Sequence, residues 1–189
     1  MSSPVPWLSR RPIHRGRVLD IGIERARLPN GVATDLEIVR HPGAAAVVPI
    51  NADGSVLLIR QYRYAAGGFL WEIPAGTLEP GEEPRACALR ELVEEAGVRA
   101  GELIDLGEVV PVPGYSTERI SLFAARGLSP ASQKLDRDEL IEEIRSVPAE
   151  QVARMLADGT LIDAKSCVAL SRARERGLLL PPGGAPVTR

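Results

Sequence analysis

Trp71–Val98 reads WEIPAGTLEPGEEPRACALRELVEEAGV, a pattern of strand end, glycine-rich loop and helix. Pro84 stands where a first helical turn tolerates proline and Gly97 where a helix stops, so the spacing predicts a helix between them. Leu89, Leu92, Val93 and Ala96 recur at helical spacing, which predicts one buried face. Glu91, Glu94 and Glu95 then fall on the opposite side, within an arc of about 100°. Carboxylates so crowded repel one another and weaken the helix. A hard divalent cation would offset that repulsion: Mg²⁺ or Mn²⁺ takes oxygen ligands, keeps several waters and is commonly shared with substrate phosphates. The plainer alternative is a solvated amphipathic helix with no ligand.

The longer string separates these two readings. Gly76, Glu82, Arg90-Glu91, Leu92, Glu94-Glu95 and Gly97-Val98 fill every fixed position of the Nudix box, G-x5-E-x7-R-E-U-x-E-E-x-G-U with U aliphatic. The chain therefore resembles the Nudix hydrolases. The resemblance implies an α+β Nudix fold, a mixed β-sheet between α-helices in an α/β/α sandwich, with a small N-terminal antiparallel sheet. It implies metal-assisted cleavage of a diphosphate, with Glu91, Glu94, Glu95 and the Ala75 carbonyl as metal ligands. Divalent ions neutralise a diphosphate and acidify a bound water. Arg90 would pair with the acids and hold their rotamers, and Glu82 would brace loop to helix.

The rest of the composition bounds the setting. The 189 residues suit one domain with a full core and a small appendage. A net charge of −2 creates no field favouring nucleic acid or an anionic membrane. No apolar run approaches the ~18 residues of a membrane span, and the N-terminus has no apolar signal core. Cys87 and Cys167 stand apart without ligand spacing, which points to reduced thiols and a cytoplasmic location. His14 and His41 show no metal spacing.

Upstream of the box, residues 1 to about 12 read as an extended arm carrying Trp7, a packing anchor or an interface residue. Arg17–Arg27 and Val32–Arg40 read as strands joined through Pro29-Asn30-Gly31, since Asn-Gly is the strongest short hairpin signal. An isolated hairpin is marginal in water, so this one must pack on something. Ala44–Ile50 and Ser55–Arg60 read as a second hairpin of buried strands around Asn51–Gly54. The organisation expected is arm and hairpin over 1–42, a Nudix domain over 43–180 and a flexible tail over 181–189. Downstream, strands are expected over Glu102–Pro111, Ile120–Ala125 and Leu140–Val147. A helix over Pro148–Ala157, capped near Ser146 or Val147, and a last helix capped by Asp163 complete the chain.

Wording outside the box is similar to the ADP-ribose and nucleoside-diphosphate-sugar branch of the family: Gln61-Tyr62-Arg63, then Trp71–Gly76, then Pro113-Gly114-Tyr115-Ser116-Thr117-Glu118. That likeness implies that Arg63 contacts the diphosphate or ribose, as its planar fork suits phosphate oxygens. It places Glu72, Gly114, Ser116 and Glu118 near substrate, and it makes the N-terminal hairpin a homodimer element. The general base in this branch is an acid on a loop before the last strand. Glu139 ranks first here, Glu142 second and Asp138 third, with Glu94 in reserve; Arg137 occupies one plausible equivalent position. The reaction expected is Mg²⁺-dependent hydrolysis of ADP-ribose to AMP and ribose 5-phosphate. The alternatives are a GDP-mannose or other nucleoside-diphosphate-sugar pyrophosphatase, and a nucleotide-binding regulator without turnover. Nucleic acid and membrane are not expected as partners. Trp7, Tyr62, Tyr64 and Tyr115 are the aromatic candidates for stacking on a base.

Overall fold

The computed structural model describes residues 7–135 and 139–179. Their contacts divide the chain into two units, Met1–Gly43 with Val110–Arg119, and Ala44–Val109 with Ile120–Arg189. The arm's residues 1–6 and the tail's 181–189 lie outside the described residues.

The first unit is built on an antiparallel sheet of β1 (Trp7–Arg15), β2 (Asp20–Arg27) and β3 (Ala33–Arg40), in that order. The Asn30-Gly31 turn forms between β2 and β3: Gly31 has φ +84°, and the Asn30 side chain accepts from the Val32 N–H at 3.1 Å. The arm expected up to residue 12 is corrected from Trp7 onward, because that segment is a hydrogen-bonded strand with irregularities at Trp7/Ser9 and Pro12/His14. Its composition hides this, since its pairing is reinforced by ions rather than apolar alternation. Arg10 on β1 pairs with Asp20 and Glu24 on β2, and Arg40 on β3 grips Glu24 through Nε–Oε1 at 2.6 Å and Nη2–Oε2 at 3.1 Å. The Arg40 guanidinium lies 4.1 Å from the centre of the Trp7 ring. Residues 110–119, which the sequence leaves inside 43–180, join β3 through a parallel bridge, Val39 to Ser116.

The second unit begins with β4 (Ala44–Pro49), β5 (Val56–Arg63), β6 (Gly68–Glu72) and β7 (Ala75–Thr77), followed by helix α1 (Pro84–Ala96). Next come β8 (Val98–Arg99), β9 (Glu102–Val109), β10 (Ile120–Arg126), β11 (Ser129–Pro130) and β12 (Ile141–Val147), then α2 (Ala149–Ala157) and α3 (Ala164–Glu175). The central sheet runs β7-β4-β10-β9, with β4 and β10 parallel and the outer pairs antiparallel. Strand residues alternate between its faces. Ala44, Ala46, Val48, Leu122 and Ala124 pack with Val152 and Met155 of α2 and Ala169, Leu170 and Ala173 of α3. Ala45, Val47, Phe123 and Ala125 pack with Cys87, Ala88, Leu92 and Ala96 of α1. Two cores on two faces of one mixed sheet make the α/β/α sandwich expected of the Nudix fold.

The second expected hairpin is corrected. The turn at Asn51–Gly54 exists, with the Gly54 N–H donating to the Asn51 carbonyl at 2.9 Å, but pairing stops at an Ile50–Val56 bridge. β4 already has β7 and β10 on its two edges, so β5 departs into a separate sheet, β12-β5-β6. Ser146 does not cap α2; its hydroxyl meets Asn51 and Ser55 at that turn, while Asp163 does cap α3, accepting from the Ser166 N–H at 3.0 Å.

Candidate active site

Helix α1 buries Cys87, Ala88, Glu91, Leu92, Glu95 and Ala96, which at about 100° per residue span one half of its circumference. The expected apolar face is corrected accordingly: Leu89 is exposed, and Glu91 and Glu95 sit in the middle of the buried arc rather than opposite it. Glu91 retains 5% of its exposure and Glu95 none.

The opposing strand is shaped to admit them. Gly76 on β7 pairs with Ala45 on β4, and cross-strand partners share a face, here the one toward α1. A Cβ on Gly76 would lie 1.7 Å from Glu91 Oε1. Gly76 is not among the chain's positive-φ glycines, so it provides room rather than a left-handed turn. One residue earlier, the Ala75 N–H donates to Glu95 Oε2 at 2.8 Å. Glu95 Oε1 is buried and has no hydrogen-bond partner among the described residues.

The Glu139 carboxylate, just before β12, completes a group: one oxygen each from Glu91, Glu95 and Glu139 lie within 4.8 Å of one another. Burial, reinforced by neighbouring carboxylates, pushes the Glu91 carboxyl up to about 7 and that of Glu95 up to about 8. Clustered carboxylates, two of them buried and one with an oxygen unpartnered among the described residues, form a hard all-oxygen donor set that fits a divalent cation of the Mg²⁺ type. Glu94 stays half-exposed at the rim.

Arg90 ties this helix face to the loop. Its Nε and Nη2 grip both Glu82 oxygens at 2.9 Å, and Nη1 donates to Glu91 Oε1 at 2.6 Å and Glu94 Oε2 at 3.0 Å. The guanidinium holds Glu82 down at about 2. Cys87 beneath it is pushed up to about 12 by burial and is a packing thiol.

A second charged group lies at the end of β6. Arg63 Nε and Nη2 grip Glu72 at 2.9 and 2.8 Å, and Glu72, only 1% exposed, also takes the Lys165 ammonium. Burial would raise the Glu72 carboxyl, but the Arg63 hydrogen bonds and the Lys165 charge outweigh it and hold the carboxyl below its ordinary value. Lys165 and Ser166 are missed by sequence reading. The one available signal was their place beside Asp163, which reads simply as a helix cap.

The remaining candidates are placed as follows. Glu142 is not part of the carboxylate group; it is exposed on β12 and pairs with Arg60. Asp136, Arg137 and Asp138 lie outside the described residues. Gly114, Ser116 and Glu118 belong to the first unit, where Ser116 Oγ accepts from the Glu118 N–H at 3.1 Å and Glu118 Oε1 lies 3.8 Å from His41 Nδ1. A Cβ on Gly114 would meet open space. Tyr62 meets Phe69 edge-on with ring centres 5.3 Å apart, and Tyr64 and Tyr115 are exposed. No helix among the described residues is long and apolar enough to cross a membrane.

Comparison with known proteins adds a lineage to this geometry. The sequence model of the NUDIX domain matches residues 39–169. The chain is 38% identical to the ADP-ribose pyrophosphatase of Bacillus subtilis (strain 168), over 86% of this chain and 89% of that protein. It is 37% identical to the methanol dehydrogenase activator of Bacillus methanolicus, over 84% of this chain and 86% of that one. The crystal structure of an ADP compounds hydrolase superposes with a TM-score of 0.77 at 26% identity, covering 93% of this chain and 96% of the other.

Proposed function

This chain belongs to the Nudix family, and on that premise we propose that it hydrolyses the diphosphate bond of ADP-ribose, giving AMP and ribose 5-phosphate. The observation that carries the chemistry is the clustered group Glu91, Glu95 and Glu139, in which one Glu95 oxygen has no partner among the described residues. The relatives that share this sequence over most of its length support the substrate class.

In this reading Glu91, Glu94, Glu95 and the Ala75 carbonyl hold Mg²⁺, with Mn²⁺ as a substitute. Once bound, the cation offsets diphosphate charge and lowers the pKa of a nearby water. Water attacks one phosphorus; the new P–O bond forms as the bridging P–O bond breaks, and the other phosphate leaves with its sugar or nucleoside. Glu139 takes the proton from that water. Glu142, held by Arg60, is the weaker candidate for this role. Arg90 fixes the rotamers of Glu91 and Glu94, and Arg63, oriented by Glu72, donates to a phosphate oxygen. Gly114, Ser116 and Glu118 are assigned to substrate binding, the last two at the distal sugar phosphate or the metal. The protein acts as a cytoplasmic homodimer joined through the β1–β3 sheet. The exposed Leu8 and Ile13 of edge strand β1 support that role.

The test is a panel of ADP-ribose, GDP-mannose, UDP-glucose and nucleoside triphosphates with Mg²⁺, products resolved by chromatography. Preferential release of AMP from ADP-ribose is expected. Preference for GDP-mannose would move the substrate within the same chemistry, and turnover of triphosphates alone would overturn the reading. Light scattering should give twice the 20.3 kDa chain mass; a monomer at micromolar concentration removes the dimer.

A further inference from the structure

The first turn of α3 is bonded to the end of β6 at two consecutive residues. The Lys165 ammonium contacts Glu72 Oε2, and Ser166 Oγ accepts from the Ile73 N–H at 2.9 Å. Both α3 residues are themselves held by one carboxylate: Asp163 Oδ2 accepts from Lys165 Nζ at 2.9 Å and from the Ser166 N–H at 3.0 Å. Two residues beyond Ile73, the Ala75 N–H holds Glu95. The helix end, the strand end and the carboxylate group thus share one continuous set of bonds.

Within that set Arg63 is the exposed member. Its side chain keeps 40% of its exposure while its partner Glu72 keeps 1%. Glu72 occupies Nε and Nη2, and among the described residues no hydrogen bond is drawn from Nη1. A carboxylate shared with one arginine alone would cancel that arginine's charge. Here Oε2 is divided between Arg63 and Lys165, and the Asp163 charge that faces Lys165 also lies at the N-terminus of α3, where the helix dipole favours an anion. Lys165 thus brings a second cation to the carboxylate that orients Arg63, while the Arg63 side chain stays the exposed member of the set.

We propose that Lys165 is a positioning residue for the diphosphate: by holding Glu72 it fixes the Arg63 guanidinium in one orientation and keeps its charge available to a phosphate oxygen. This rests on the hydrolase reading above, in which Arg63 contacts substrate. A packing role for Lys165 would change stability and leave affinity alone. A positioning role weakens affinity through Arg63 and through no other group.

The experiment compares Lys165→Met, Lys165→Arg, Arg63→Ala and the Lys165→Met/Arg63→Ala double variant. The readouts are KM and kcat for ADP-ribose, and calorimetric Kd for the non-hydrolysable α,β-methylene analogue. Lys165→Met should raise KM and Kd about tenfold with kcat within about threefold, and Lys165→Arg should restore both. In the Arg63→Ala background, Lys165→Met should add nothing, the non-additivity expected of two residues acting through one contact. Should Lys165→Met not fold, Lys165→Gln takes its place with the same expectation; loss of fold in both, with Lys165→Arg intact, would assign the residue to the fold and overturn the proposal. Additive effects, or unchanged KM and Kd in Lys165→Met while Arg63→Ala weakens both, would overturn it and leave the function standing. A wild-type protein that neither binds the analogue nor cleaves ADP-ribose removes the function and this inference together. One in which only Arg63→Ala is silent removes the inference alone.

Discussion

Glu24 and Glu95 are both buried glutamates, one in each unit, and the chain treats them in opposite ways. Glu24 is 7% exposed and is gripped by Arg10 and Arg40 from the two neighbouring strands, so its charge is matched within the protein. Glu95 has no exposure, receives one backbone N–H at Oε2, has no partner for Oε1 among the described residues and shares its space with Glu91 and Glu139. A buried charge costs stability unless it is paired. The first arrangement is finished when the chain folds, and the second stays unfinished until something positive arrives. The Glu95 side is therefore where chemistry is expected, and the Glu24 side is where the β1–β3 sheet is held together.

The comparison breaks most sharply at Glu95 itself. Glu95→Gln should lower kcat with Mg²⁺ by at least about a thousandfold. The same variant should melt higher than the parent at pH 8 in chelator, since it removes a buried charge that no salt bridge matches among the described residues. Scanning calorimetry beside steady-state kinetics reads both effects; a variant that stays active ends the ligand role of Glu95.

Next in size is Gly76→Ala. The added methyl collides with Glu91 Oε1 and must displace the carboxylate, which should lower kcat by about a hundredfold. An unaltered rate would mean that Glu91 has room to move.

A third effect is on pH. The Glu91 and Glu95 carboxyls are raised from an ordinary 4.5 to about 7 and about 8, so the folded chain holds protons that the unfolded chain has released. Stability in chelator is then fully present below pH 4.5 and is lost as the pH rises through 7 to 8. The melting temperature should drop by about 5 °C across that window, and Mg²⁺ should reverse the drop. A flat profile in Glu95→Gln would assign the slope to this group. Glu82 works in the other direction: held near 2 by Arg90, its contribution is present above pH 4.5 and disappears on acidification toward pH 2.

The smallest effect is on the finished side. Glu24→Gln should cost the β1–β3 sheet about 2 kcal/mol, read by urea unfolding of Trp7 fluorescence in a Trp71→Phe background. It should leave Mg²⁺ affinity unchanged by calorimetry; an equal loss of metal binding would end the contrast between the two glutamates.

How much of this could be read beforehand depends on what local pattern encodes. Element positions in the second unit were legible, because Pro84, Gly97 and Asp163 punctuate helices and β4 and β10 are apolar runs. The face of α1 was misread, because periodicity sorts residues by polarity. It set Leu89 inside and Glu91 and Glu95 outside, whereas the hollow at Gly76 and the N–H of Ala75 draw the acids inward. The separation of β4 from β5 was invisible for a related reason: which edges of β4 are taken depends on β7 and β10, distant in sequence. β1 was concealed because arginines rather than alternating apolar residues hold it. Glu139 was reachable by family resemblance and not by its own neighbourhood, and Lys165 by neither, since Glu72 lies 93 positions away along the chain.

The facing pair Ala45 and Gly76 has a bearing on how such a protein can change. Neither residue carries a titratable group, yet the absent side chain at Gly76 leaves the space that the Glu91 carboxylate fills, while Ala45 beside it packs into the core under α1. In a saturation-mutagenesis map Gly76 would stand out beside the acids, and its intolerance would be steric. On the proposed function, a change of substrate preference then falls to side chains such as Arg63 and its supports rather than to Gly76, where any side chain must first displace a carboxylate.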